Sequence, residues 1–285
     1  MNIIFGEFLI FLFGLNVGSF LNCVIYRLEI NQSFLSGRSY CPDCKHKLSW
    51  YDLIPVFSFL ILKGKCRYCK KQISWQYPLV ELATGILFVL IFNFQLAPYQ
   101  TGGFGAGFPI FNQFSIFSLQ YLLATSYWLL ITCFLIIIFI YDLKHYIIPD
   151  KVIFPAILAS CVWYFVSSIF FHLYTGYEIL NTVYSAFGAA GFFLFIVLVS
   201  RGKWMGIGDI KLAFLMGFFL GFPKILFALF SAFLFGAIMG IGLIILKRKS
   251  LKSEIPFGPF LITGTILALF FGEKIMNWYL NYLSF

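Results

Sequence analysis

Residues 119–142 read LQYLLATSYWLLITCFLIIIFIYD. A long run without a single charge ends in an aspartate. About 20 apolar residues carry a helix across the ~30 Å hydrocarbon layer of a bilayer, so residues 119–141 predict a membrane span with a carboxylate at its end. The same pattern recurs at roughly 4–26, 78–96, 152–171, 181–199, 209–222, 225–246 and 257–272. These runs predict an all-α polytopic membrane protein of about eight transmembrane helices. The sixth and eighth are short, and Gly221-Phe222-Pro223-Lys224 reads as a tight turn between the sixth and seventh. Composition agrees. The 285 residues are 61% hydrophobic, 21% aromatic and only 11% charged, where a soluble domain carries roughly 25% charged residues. Lipid is the expected solvent.

The net charge is +9, and its placement implies an orientation. No basic residue precedes the first run and Arg27 follows it, which reads as an anchor with its N-terminus outside rather than a secretory signal. Eight spans then leave 27–77, 142–151, 200–211 and 247–256 inside. Every Lys and Arg falls in those segments except Lys224 and Lys274. Cytoplasmic loops carry such an excess of basic residues. No long basic helix and no alternation of aromatic with basic residues accompanies the charge, so nucleic acid is not an expected partner.

Residues 28–77 form the one large polar insert. Within it LIPVFSFLIL, residues 53–62, is too short to cross a bilayer and is expected on the membrane face or under the insert. The connection at 97–118 is uncharged and glycine-rich and reads as a flexible outer loop. No internal repeat is apparent, which disfavours an inverted-repeat transporter. The organisation expected is a first membrane helix at 1–27, a cytoplasmic insert at 28–77 and a membrane domain at 78–285.

Cys23, Cys133 and Cys161 lie singly in apolar runs and read as small buried hydrophobes. Cys41-Pro-Asp-Cys44 and Cys66-Arg-Tyr-Cys69 are different, with 21 residues between the pairs. Two CxxC pairs suit a tetrahedral zinc ion. Two disulfides or a redox pair are the other uses of such cysteines, and a reducing cytoplasm opposes the first. Four thiolates leave zinc no open position, so its expected role is to hold the insert folded.

The chain has eleven carboxylates. Glu81, Asp142, Asp150 and Asp209 fall near the inner ends of spans, where an ionisable group is a functional candidate by default. Asp209 after Gly-Ile-Gly could simply cap a helix N-terminus, and Asp150 after Pro149 is read as such a cap. Asp142 sits at a helix C-terminus, against the dipole. Two carboxylates at one leaflet could share a proton, activate water and protonate a leaving amine. Helix position implies that Asp142 carries the resting proton and Asp209 the charge. A transporter or scaffold relaying protons or cations is the rival class, and it predicts carboxylates near mid-membrane and internal symmetry.

Met205-Gly206-Ile207-Gly208-Asp209-Ile210-Lys211-Leu212, with an upstream aspartate, resembles the GxGD class of membrane aspartic peptidases. The likeness extends to the segment GSFLNCVIYRL at 18–28, both CxxC pairs, WYDLIPV at 50–56, Gly64-Lys65-Cys66-Arg67, Tyr77-Pro78-Leu79-Val80-Glu81 and Pro256-Phe257-Gly258-Pro259-Phe260. In this order the motifs resemble the bacterial type IV prepilin peptidases, or leader peptidase/N-methyltransferases. The short members lacking an insert are excluded by residues 28–77.

That resemblance implies the rest. Asp142 and Asp209 would be the catalytic pair, supported by Gly206, Gly208 and Lys211. The substrate would be a type IV prepilin or pseudopilin, cut after a glycine at the cytoplasmic face of the bacterial inner membrane. S-adenosylmethionine would then methylate the new N-terminus, with Gly64 and Lys65 at positions implicated in that transfer. Pro256, Phe257, Gly258 and Pro259 are expected either to form irregular backbone that holds the substrate or to start a helix with proline in its first turn.

Overall fold

The structure is a computed structural model describing residues 3–33, 37–101, 119–171, 176–246 and 255–283. Among them it is helical, with no strand beyond two isolated antiparallel bridges. The helices are α1 (Ile3–Glu29), α2 (Phe57–Ile61), α3 (Gln76–Thr101), α4 (Leu119–His145), α5 (Asp150–Phe171), α6 (Gly176–Ser200), α7 (Ile207–Leu220), α8 (Lys224–Ile245) and α9 (Gly258–Leu283), with a 3₁₀ turn at Trp50–Leu53. All but α2 and α7 contain a stretch long and apolar enough to cross a membrane.

The expected span at 209–222 is α7, which has only 14 residues. At 1.5 Å per residue it is about 21 Å long, short of a ~30 Å hydrocarbon layer. Its surroundings explain the apolar run. Leu212, Ala213, Leu215 and Met216 are buried by protein, and a helix apolar all round belongs inside a bundle. The expected span at 257–272 is longer than its apolar run, because α9 continues to Leu283 and Glu273 is paired with Lys224 at 3.1 Å. The first residues of the glycine-rich connection extend α3 to Thr101, and residues 102–118 lie outside the described ones.

The described residues form two compact units. One holds α1–α3 and α4 as far as Ile137, and the other holds α4 from Ile138 with α5–α9. In the first unit α1 and α3 run antiparallel at very close range. A Cβ on Gly14 would lie 2.7 Å from Gly85 Cα, and one on Gly18 would lie 2.7 Å from Glu81 Cα. Between lipid-facing helices, association comes from close backbone packing, which small residues four apart allow. Gly14-Leu15-Asn16-Val17-Gly18 carries that signal in the sequence itself.

In the second unit α6 and α7 are antiparallel, with Phe187 against Phe214 and Asn181 at the far turn. The Asn181 amide donates to Phe222 O at 2.9 Å and its Oδ1 accepts from Phe222 N at 3.3 Å. This clamp holds the tight turn at 221–224, where Gly221 takes a left-handed φ of 67°. Helix α5 runs beside α7 in the same direction, with Ile148 against Gly208 at one end and Tyr164 against Phe218 further along. Helices α8 and α9 also contact α7. The end of α4 and the starts of α5, α7 and α9 are thereby gathered at one end of this unit.

Candidate active site

Asp142 lies one turn before the end of α4, which runs on to His145. Its side chain is buried, with the residue 4% exposed. Oδ2 accepts the backbone N–H of Gly258 at 3.0 Å. Gly258 is the first residue of α9, and Pro259 follows it in the first turn. The first N–H groups of a helix lack partners within it, so α9 lends one to Asp142. Glycine is required here: a Cβ at 258 would stand 2.5 Å from Asp142 Oδ2. Phe257 fixes the approach. Its ring lies 5.1 Å from Phe233, 6.2 Å from Phe193 and 6.3 Å from Phe260.

Asp209 sits in the first turn of α7, partly exposed, with Oδ2 accepting the N–H of Gly206 at 3.2 Å. Gly206 is extended, and a Cβ on it would meet nothing closer than Gly208 N at 3.9 Å and Asp209 Oδ2 at 4.0 Å. Its contributions are an N–H and open space before the carboxylate. Gly208 instead faces Ile148, which a Cβ would approach at 3.1 Å. The Asp142 charge acts on Asp209. Each aspartate thus gives Oδ2 to a backbone N–H at a helix start. The dipole contrast drawn from sequence does not separate the two, because the start of α9 offsets the end of α4 at Asp142.

The other candidates are placed as follows. Lys211 Nζ meets Asp150 Oδ1 at 2.6 Å and lies 5.0 Å over the Phe154 ring, tying α7 to α5. Asp150, the first residue of α5, uses its carboxylate for that ion pair. Pro256 and Phe257 precede α9, and the helix is regular from Gly258, so the motif takes the form of a helix start with proline in its first turn. Cys161 is exposed and Cys23 and Cys133 are half-buried, not fully buried as expected, since lipid can cover an apolar thiol as protein would.

The four cysteines that could hold a metal ion lie together in the first unit. The sulfurs of Cys41, Cys44, Cys66 and Cys69 all lie within 4.8 Å of one another, and Cys41 and Cys69 are 4.0 Å apart. Zinc–sulfur bonds of about 2.3 Å in a tetrahedron put sulfurs about 3.8 Å apart, so the set fits such an ion. The two halves repeat each other, which corrects the absence of repeats read from sequence. CPDCKHKLSW (41–50) and CRYCKKQISW (66–75) share CxxCK and a final Ser-Trp. Lys45 N donates to Cys41 O at 2.9 Å, and Lys70 N to Cys66 O at 3.0 Å. Lys45 and Lys70 take left-handed φ of 57° and 61°, and the bridges Tyr40–Lys47 and Lys65–Gln72 occupy matching places. The repeat is local, so it does not revive the transporter. Burial pushes the Cys41 thiol up to about 11. At Cys66 burial also acts upward, but the N–H groups of Cys69 and Tyr68 and the neighbouring thiols outweigh it and bring the thiol down to about 7.

The insert is tied to the helices below it through carboxylates. Asp52 accepts from Arg67 Nε at 2.8 Å and Tyr68 Oη at 3.2 Å, joining the second knuckle to the 3₁₀ turn. Glu81, buried in α3, accepts the N–H of Val56 at 2.8 Å. Val56 has a φ of 61°, an outlier for a β-branched residue. Gly64 (φ 68°) closes α2 by donating its N–H to Phe59 O at 2.9 Å, with the Phe59 ring 3.1 Å from where its Cβ would be. Lys65 is exposed.

The bacterial peptidase A24 N-terminal domain matches residues 12–94, and the type IV leader peptidase family matches residues 129–241. Asp142 and Asp209 lie in the second match, the four cysteines and Glu81 in the first. Prepilin leader peptidase/N-methyltransferases are similar to this chain over nearly their whole length. That of Aeromonas salmonicida (strain A449) is 33% identical, covering 96% of this chain and 93% of the relative. That of Bacillus subtilis (strain 168) is 31% identical, covering 96% and 97%. That of Pseudomonas aeruginosa is 28% identical, covering 96% and 93%. No solved structure gives a significant match.

Proposed function

The chain belongs to the type IV leader peptidase family, and on that premise we propose that it cleaves the leader from type IV prepilins or pseudopilins and methylates the new N-terminus. The observation that supports cleavage most directly is the arrangement of Asp142 and Asp209. They come from the end of one helix and the start of another at the same end of their unit, the Asp142 carboxylate is close enough to act on the Asp209 carboxyl, and both are held alike through one oxygen. One carboxylate takes a proton from water, whose oxygen adds to the scissile carbonyl. The other, protonated, gives its proton to the amide nitrogen as the C–N bond breaks. No covalent intermediate forms, and the pair titrates as a unit.

The remaining roles follow the same reading. Gly206 and Gly208 shape the approach to Asp209, and Lys211 braces α7 against α5. Pro256, Phe257, Gly258 and Pro259 hold Asp142 and border the substrate. Cys41, Cys44, Cys66 and Cys69 hold zinc as a structural ion. S-adenosylmethionine supplies the methyl group, with Gly64 and Lys65 near the transfer. Residues 1–27 and 28–77 serve methylation and 78–285 serves cleavage. The distribution of basic segments supports an N-terminus outside and a dyad at the cytoplasmic face of the inner membrane. A transporter is the weaker reading, since the aspartates sit at one end of their unit rather than midway along it.

The test is to incubate the purified protein with a prepilin, with and without S-adenosylmethionine, and weigh the products. Asp142→Ala and Asp209→Ala should each abolish the cut and leave metal content unchanged. Cleavage persisting in either variant would reject the dyad.

A further inference from the structure

The first unit carries an apolar face that the reaction does not use. On α2 the exposed Phe57, Leu60 and Ile61 (75%) recur at i, i+3 and i+4 and so share one side of the helix, and Trp50 (77%) and Trp75 (67%) are exposed on the segments before and after it. The two tryptophans are equivalent members of the knuckle repeat, each directly after its serine. Both knuckles therefore deliver an indole to the surface. Phe59 packs on Trp75 at 5.0 Å and joins α2 to the start of α3.

The depth of this face is fixed by Glu81. Its bond to Val56 holds the start of α2 beside α3 rather than beyond its end. Glu81 is five residues into α3, about 7.5 Å along the axis from Gln76. The apolar stretch Gln76–Gln95 has 20 residues, just enough to cross the hydrocarbon layer. The Val56 bond thus brings α2 level with the membrane entry of α3. Chain continuity agrees, since α1 leaves the bilayer at one end of the insert and α3 re-enters at the other. Indole rings concentrate at that level of a bilayer. The charge also fits: of Lys63, Lys65, Arg67, Lys70 and Lys71 in the segment from α2 to α3, Arg67 is paired with Asp52 and Lys71 with Asp43, which leaves the charges of Lys63, Lys65 and Lys70 to face outward.

We infer that the face of Trp50, Phe57, Leu60, Ile61 and Trp75 is seated in the headgroup layer of the bilayer, and that Lys63 and Lys70 beside it select anionic phospholipid. The insert is then not a free cytoplasmic domain on a tether. It is a monotopic element whose metal knuckles stand on the membrane surface, in the manner of an amphipathic interfacial helix.

The test uses the full-length protein, zinc bound, in phosphatidylcholine vesicles with and without phosphatidylglycerol. Emission lost in Trp50→Phe or Trp75→Phe isolates each indole. That emission should be quenched more by lipid brominated near the headgroup than by lipid brominated near the chain end. Phe57→Trp in the doubly substituted background gives a second reporter if either single variant misfolds, with zinc content as the check on folding. Insensitivity to brominated lipid would overturn the inference. So would protection that appears only on adding prepilin, or only at high protein-to-lipid ratio, which would give the face to the substrate or to a second copy. Lys63→Gln with Lys70→Gln should lower the preference for phosphatidylglycerol by about fivefold per residue. An unchanged preference would overturn the anionic selectivity.

Discussion

The N–H of Gly258 meets Oδ2 of Asp142 at 3.0 Å, and there is no room between them for a methyl group. A residue at the start of the last helix thereby sets the position of a carboxylate at the end of the fourth. The bond is buried and spans 116 positions of sequence.

Gly258→Ala should therefore act on chemistry rather than on membrane insertion. Its Cβ would push Asp142 away, and displacement by about 1 Å can cost roughly 100-fold in rate. Turnover of a prepilin by mass spectrometry should fall by that order, with methylation of a pre-cleaved pilin retained. Cleavage within threefold of the parent, a loss of only about 0.7 kcal/mol in barrier terms, would show that the contact does not position the acid.

Asp150 and Asp209 both begin helices, yet their variants should part sharply. Asp150 meets Lys211 with its side chain 61% exposed, and exposed pairs contribute about 0–1 kcal/mol. Asp150→Asn should leave cleavage within about tenfold, while Asp209→Asn should remove it. Equal losses in the two would move Asp150 into the reacting set.

Metal removal should separate the two activities. A chelator, or Cys66→Ser, should release the ion, open the insert to protease and abolish methylation, with cleavage retained. Uptake of zinc requires thiolates and so releases protons. At neutral pH Cys66, near 7, is already half ionised, whereas Cys41, near 11, must give up its proton on binding. Retention of metal should weaken as pH falls through 7 and Cys66 regains its proton. Titration of the stripped protein with zinc in weak buffer should show the proton release directly, and a metal content flat from pH 8 to about 5 would contradict thiolate ligation.

Glu81→Ala should loosen the insert at the other end. It leaves the Val56 N–H without its acceptor, a loss of about 1–3 kcal/mol for a buried donor. Faster proteolysis within residues 50–76 is the expected outcome. Glu81→Gln keeps an acceptor oxygen and should behave nearly as the parent.

Span positions, the tight turn at 221–224, the four-cysteine cluster and the two aspartates were all legible along the chain. Each is carried by local chemistry: a long uncharged run, a Gly-x-Pro turn, paired thiols three residues apart, or a carboxylate where lipid disfavours one. The shortness of α7 was only half legible, because an apolar run looks the same whether lipid or protein surrounds it. The Gly14–Gly18 spacing and the knuckle repeat were also written in the sequence, as patterns of small residues and of CxxCK followed by Ser-Trp.

What the tertiary structure alone decided is which backbone group faces which carboxylate. A backbone N–H has no letter of its own, so nothing in the sequence could pair Gly258 with Asp142, Gly206 with Asp209 or Val56 with Glu81. Sequence determined which residues could carry charge into an apolar setting. The packing of helix starts against those residues determined where each charge is held, because within a helix it is the first N–H groups that lack a partner and only the fold chooses what stands there.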